Sequence, residues 1–277
     1  METNVERFYM QRMNDYQDLN NVKFFLLDMD GTVYLEDHLL PGAQDFLSLL
    51  TDRKIEYIFL TNNSSKDATQ YIEKLALLGI QSTPDMILTS GKATADFLLK
   101  KHKGASLYVV GTPALQKEFT SLGFSINEYD PDIVVLGFDT TLTYDKLWKC
   151  CNFIRAGRLY IATHPDINCP TKGGFMPDIG SFIALIQAST GREPDWIIGK
   201  PYEAMVEAIE LRTGFKRDEI CMIGDRLYTD IALGAFGIKT ILVLSGETKK
   251  EDIPMAKIQP DYVMEDLSEV RKILREK

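Results

Sequence analysis

The apolar run Lys23–Leu27 leads straight into Asp28-Met29-Asp30-Gly31-Thr32, which sets two carboxylates one residue apart. If the run is a strand, residues i and i+2 leave it on one face and both carboxylates meet the same space. Like charges that close repel unless a cation sits between them or one carboxyl keeps its proton. A hard cation such as Mg²⁺ takes oxygen ligands, and a protonated carboxyl can serve as a general acid. Gly31 permits a tight exit turn and a close backbone approach to a ligand. On turn chemistry alone, the pair reads equally well as a capping or turn motif.

Three further polar clusters follow apolar runs in the same way. Thr61-Asn62-Asn63-Ser64-Ser65 comes after Ile55–Leu60 and offers a hydroxyl, amides and free backbone N–H groups. That set suits an anion at a helix start, and equally an ordinary N-cap. Lys200 lies between Gly199 and Pro201 behind Trp196–Ile198. Pinned there, its ammonium could meet a phosphate; the plainer reading is a surface lysine. Gly224-Asp225-Arg226-Leu227-Tyr228-Thr229-Asp230 follows Ile220–Ile223. Asp225 supplies another carboxylate for a cation, with Asp230 as a partner behind it, or is simply a loop aspartate.

The elements that must position these clusters are legible from alternation. Besides the four runs above, Met86–Thr89, Leu107–Val110, Ile133–Leu136, Leu159–Ala162, Thr240–Leu244 and Tyr262–Met264 read as strands. Helical patterns such as Ala43–Thr51, Thr69–Leu78, Lys92–Lys101 and Tyr202–Arg212 lie between them. The alternation predicts βαβ units, an α/β fold and a mostly parallel sheet. In such sheets ligands bind beyond the carboxyl ends of the strands, where all four clusters fall.

Composition narrows the partners. A formal charge of −9 over 277 residues argues against nucleic acid or an anionic membrane as the main partner. A small anionic substrate stays open, because a local cation overrides net charge. Cys150, Cys151, Cys169 and Cys221 form no C-x-x-C pair, which favours reduced thiols over a disulfide framework. The first twenty residues carry no apolar signal core, and no apolar run approaches the roughly 18 residues of a membrane span. A soluble, cytoplasmic protein is expected.

Taken together and in this order, the clusters resemble the haloacid dehalogenase superfamily: D-x-D-G-T at Asp28 to Thr32, a strand ending in Thr61, a lone Lys200, and G-D-x-x-x-x-D at Asp225 and Asp230. Leu60-Thr61-Asn62-Asn63-Ser64, Gly199-Lys200-Pro201 and Leu242-Val243-Leu244-Ser245-Gly246 are similar to the NagD/4-nitrophenylphosphatase subgroup, which carries a type IIA α/β cap. The resemblance implies a Rossmann-like core at 22–93 and 194–277 with an α/β cap inserted at 94–193, preceded by an N-terminal extension at 1–21. It implies a Mg²⁺-dependent phosphatase of small phosphorylated metabolites. Asp28 would attack phosphorus, and Asp30 would protonate the leaving alkoxide and then activate water. Asp28, the Asp30 backbone carbonyl and Asp225 would hold the metal, with Asp230 behind them. Lys200, Thr61 and the Asn62 backbone would bind phosphate.

In the cap, His164 and Asp166 after Leu159–Ala162, and Asp178 opening a helix, are candidates for substrate contact. His164 has the plainer reading of a loop histidine, Asp178 that of a helix cap, and Cys169 reads as structural. A homodimer is consistent with the resemblance. The run after Asp230 departs from the subgroup by being one residue short, which in a helix would turn the residues beyond it by about 100°. The alternatives are a phosphotransferase or phosphomutase sharing the aspartyl-phosphate, and a non-enzymatic binder or receiver-like regulator. Asp30 and a roomy cap favour hydrolysis over transfer, and the intact Asp30 and the long insert favour turnover over a binder or receiver.

Overall fold

The computed structural model describes residues 16, 19, 21–171 and 173–275; the expected N-terminal extension at 1–21 thus lies outside them, save for residues 16, 19 and 21. The fold is α/β, built on two parallel sheets, and its contacts divide into two compact units. One comprises 1–60, 74–87 and 209–277, the other 61–73 and 88–208.

The first unit is built on a sheet ordered Tyr262–Met264, Lys239–Val243, Ile220–Gly224, Phe24–Leu27, Glu56–Thr61 and Ile87–Thr89. Phe24–Leu27 is buried at all four positions, as a central parallel strand covered on both faces must be. It pairs in parallel with Ile220–Gly224 on one side and Glu56–Thr61 on the other. Helix Ala43–Asp52 buries Ala43, Phe46, Leu47 and Leu50, the spacing of a single helical stripe. Phe46 meets Phe25 edge to face, ring centroids 5.9 Å apart, which docks this stripe on the central strand. Helix Leu267–Arg275 packs beside it through Leu267, Val270 and Leu274.

After Asp230 the chain forms a 3₁₀ helix, Ile231–Phe236, closed by Gly237 at φ 90°. A 3₁₀ helix rises about 2.0 Å per residue against about 1.5 Å in an α-helix. The 100° turn expected of a shortened helix is reckoned for an α-helix, which this run does not form.

The second unit holds a parallel sheet ordered Trp196–Ile197, Leu159–Ala162, Ile133–Leu136, Ser106–Val110 and Ser125–Ile126. Helices Tyr144–Arg155 and Ile179–Thr190 close a core around Val134, Leu136, Tyr160, Ile154 and Ile186. An antiparallel hairpin, Asn168–Thr171 with Gly174–Pro177, precedes the second of these helices. Among the described residues no helix is long and apolar enough to cross a membrane.

Candidate active site

In the first unit, register brings two carboxylates together. Leu27 pairs with Ile223 in parallel, so Asp28 and Asp225 leave neighbouring strands within one residue of the same level. Carboxylate oxygens of Asp28, Asp225 and Asp230 all lie within 4.8 Å of one another. Asp225 is buried; its Oδ2 accepts the Glu247 backbone N–H at 2.7 Å, while its Oδ1 is buried with no hydrogen-bond partner. Burial, and next the charge of Asp230, push the Asp225 carboxyl up to about 7. Burial opposes the charge on the neighbouring Arg226 guanidinium, yet Asp28 and the other carboxylates around it hold its pKa above the ordinary value. A Cβ on Gly246 would stand 2.0 Å from Asp225 Oδ2, and one on Gly31 2.3 Å from it, so two bare backbones make room for this side chain.

An orphaned buried oxygen among three carboxylates fits a hard divalent cation, which prefers oxygen ligands and cancels their repulsion. Asp28, Asp225 and Asp230 could hold one.

Asp30 is not one of the three. Its carboxylate is exposed, 3.6 Å from Lys74 Nζ and 3.4 Å from the Tyr34 hydroxyl, while Lys74 sits 3.8 Å over the Tyr34 ring. The strand stops at Leu27, so Asp30 follows it in a turn. In that turn Thr32, Val33 and Tyr34 all donate their N–H groups to the Met29 carbonyl.

In the second unit Thr61 ends its strand, and its Oγ1 accepts the Asn63 N–H at 3.2 Å. The Asn62 side chain is a clamp. Its Oδ1 accepts the Lys200 N–H at 2.8 Å, and its Nδ2 donates to the Lys200 carbonyl at 2.9 Å and to Asp166 Oδ1 at 3.0 Å. Both Asn62 and Lys200 are buried. Of the residues considered for substrate contact, His164 and Asp178 are buried as well. His164 Nε2 lies 3.1 Å from Asp178 Oδ1, which also accepts the Ile179 N–H at 2.6 Å, capping helix Ile179–Thr190. Asp166 is partly exposed.

Two family models match the chain: a haloacid dehalogenase-like hydrolase over residues 25–125 and a haloacid dehalogenase hydrolase-like model over 197–270. A 4-nitrophenylphosphatase from Thermotoga maritima is 48% identical, with a TM-score of 0.89 over 92% of this chain and 98% of that one. A thermostable NPPase double mutant from Geobacillus stearothermophilus is 36% identical, with a TM-score of 0.83 over 90% and 97%. An acid sugar phosphatase from Staphylococcus epidermidis is 36% identical over 252 residues, covering 90% of this chain and 97% of that protein. The chain belongs to the haloacid dehalogenase superfamily.

Within the superfamily it falls in the NagD/4-nitrophenylphosphatase-like branch, with the Rossmann-like core and α/β cap that this branch carries. Three features of this hydrolase escape a strand-end reading of the sequence. One is the Asn62 side chain, expected to serve only through its backbone. Another is Ser90, whose Oγ donates to the Asn62 carbonyl; the Thr89-Ser90-Gly91 exit from Met86–Thr89 was a legible fifth polar strand end. The third is Gly246, whose need appears only once Asp225 is seen beside it.

Proposed function

We propose that this hydrolase is a Mg²⁺-dependent phosphatase that cleaves small-molecule phosphate monoesters through an aspartyl-phosphate on Asp28, in the cytoplasm. The observation that carries the reading is the Asp28–Asp225–Asp230 cluster with its unpartnered Asp225 oxygen. Asp28, Asp225 and the Asp30 backbone carbonyl would hold the metal, with Asp230 behind them; Asp230 accepts the Arg226 N–H at 3.1 Å. Bound there, Mg²⁺ supplies the positive charge that lets an anionic nucleophile approach a phosphate dianion.

The Asp28 carboxylate oxygen forms a bond to phosphorus as the ester oxygen departs, and the Asp30 carboxyl gives its proton to that oxygen. The Asp30 carboxylate then takes a proton from water, whose oxygen attacks phosphorus and frees Asp28. Its exposure suits a group that must exchange protons with solvent in each turnover. Thr61, the Asn62 backbone and Lys200 bind phosphate oxygens, and the burial of Lys200 keeps its charge from wandering in solvent. The insert at 94–193 selects the leaving group, between core segments 22–93 and 194–277.

The test is phosphate release from 4-nitrophenyl phosphate and from a panel of sugar and nucleoside phosphates, with Mg²⁺ and after EDTA. Turnover in H₂¹⁸O places solvent oxygen in the released phosphate; an alcohol product carrying phosphate would mark a transferase instead. No release with Mg²⁺ across roughly pH 5 to 8 would refute the phosphatase reading.

A further inference from the structure

We propose that His164 is a positioning residue: through Ser90 it fixes the Asn62 carbonyl, and with it the clamp that sets Lys200. The inference rests on the phosphate-binding role just given to Asn62 and Lys200, and it moves His164 from substrate contact to support.

The residues form one buried chain in the second unit. Asp178 Oδ1 is 3.1 Å from His164 Nε2, and His164 Nδ1 is 3.2 Å from Ser90 Oγ and 3.1 Å from Thr163 Oγ1. Ser90 Oγ donates to the Asn62 carbonyl. Thr163 Oγ1 is 2.9 Å from Ser64 Oγ, which accepts the Phe138 N–H at 2.9 Å. Asn62, Ser64, Ser90, Thr163, His164 and Asp178 are all buried.

Proton accounting gives the chain a direction. The Asn62 carbonyl can only accept, so the Ser90 proton is committed to it, and Ser90 Oγ can only accept from the ring. The ring faces Asp178 through Nε2 and the Ser90 and Thr163 oxygens through Nδ1, so it spans the gap between the two. Order thus runs from the cap of helix Ile179–Thr190, through the imidazole, to the backbone of Asn62. From there the Asn62 side chain grips Lys200 on both its N–H and its carbonyl.

Packing supports the same reading. A Cβ on Gly199, the residue before Lys200, would stand 2.6 Å from His164 Cβ and 2.7 Å from Asn62 Oδ1. The imidazole, the Asn62 amide and the Lys200 backbone therefore share one tightly filled volume, where a shift of any one is felt by the others.

The two halves of the imidazole can be separated by substitution. An asparagine at this position places its amide near Nδ1, on the Ser90 side; a glutamine reaches towards Nε2, on the Asp178 side. With 4-nitrophenyl phosphate and Mg²⁺, H164A and S90A should each lower kcat about 10- to 100-fold, the scale expected when reacting groups are displaced by an ångström. H164N should restore most of that loss and H164Q should not, and the S90A/H164A double variant should be no worse than either single one. A second readout needs no turnover: the Asn62 side-chain amide and Lys200 backbone amide resonances should shift in S90A and H164A and return in H164N.

If the wild type releases no phosphate, the function above fails, while these resonances still decide the positioning role. Unmoved Asn62 and Lys200 resonances in H164A would overturn the proposal, as would rescue by glutamine in place of asparagine. Should H164A fail to fold, S90A, H164N and H164Q carry the same comparison.

Discussion

The two units bury polar groups on opposite terms. In the first, Asp28, Asp225 and Asp230 crowd together, one Asp225 oxygen is left without a hydrogen bond, and its carboxyl is pushed up to about 7. In the second, Asp178, His164, Ser90, Asn62 and Lys200 are joined link by link. A buried polar atom without a partner costs about 1–3 kcal/mol, so it persists where something outside the chain completes it. A chain of partnered groups needs nothing from outside and serves to hold geometry. The contrast separates a cluster left open for a ligand to complete from one whose buried links fix where Asn62 and Lys200 stand.

The largest break in that comparison is Asp28→Asn. The amide keeps the side chain's size but removes the attacking charge, so turnover should fall by roughly a thousandfold or more with the fold intact. Phosphate release and circular dichroism on the same sample check this. Retained activity in a folded variant would remove Asp28 as nucleophile.

The first cluster was legible in sequence and much of the second was not, because the information lies in different places. Asp28 and Asp225 sit directly behind four- and five-residue buried strands, and strand alternation plus parallel pairing puts such ends side by side. Ile133–Leu136, Leu159–Ala162 and Tyr262–Met264 came through with their ends unchanged, because apolar runs bounded by polar residues mark their own limits. Tyr34–Leu35, His38–Leu39 and Ser125–Ile126 are only two residues long, too short to carry a period. The hairpin strands Asn168–Thr171 and Gly174–Pro177 are mostly exposed and so lack an apolar face. His164 read as a loop residue because its burial depends on Ser90 and Asp178, 74 and 14 positions away.

A smaller effect should come from Gly246→Ala. The added methyl stands 2.0 Å from Asp225 Oδ2 and must displace it, disturbing the cluster without removing a single ligand. Loss of the surroundings that orient a ligand costs metal affinity about 10- to 100-fold. The Mg²⁺ concentration for half-maximal activity should rise by that factor, with activity recovering at saturation. An activation curve like that of the wild type would show that Asp225 does not need this space.

The smallest expected effect tests an exception within the second unit. Glu118 Oε2 is buried with no hydrogen-bond partner, and burial pushes this carboxyl up to about 7 from an ordinary 4.5. Lys92, itself paired with Asp96, pulls it down, while Asp67 and Asp96 add to the rise. The folded state thus keeps a proton that the unfolded chain gives up between those two values. The stability this proton confers is complete below the unfolded pKa and is lost as pH rises through the folded one, at up to about 1.4 kcal/mol per pH unit in between. Glu118→Gln removes the titration. Its melting temperature should track the wild type near pH 4.5, pull ahead as pH rises, and hold a constant lead above about 7. Because Glu118 belongs to neither cluster, activity should stay near wild type while the stability profile changes. Parallel melting curves across the range would show that Glu118 is solvated after all, and that the contrast between the two units is sharper than its orphaned oxygen suggests.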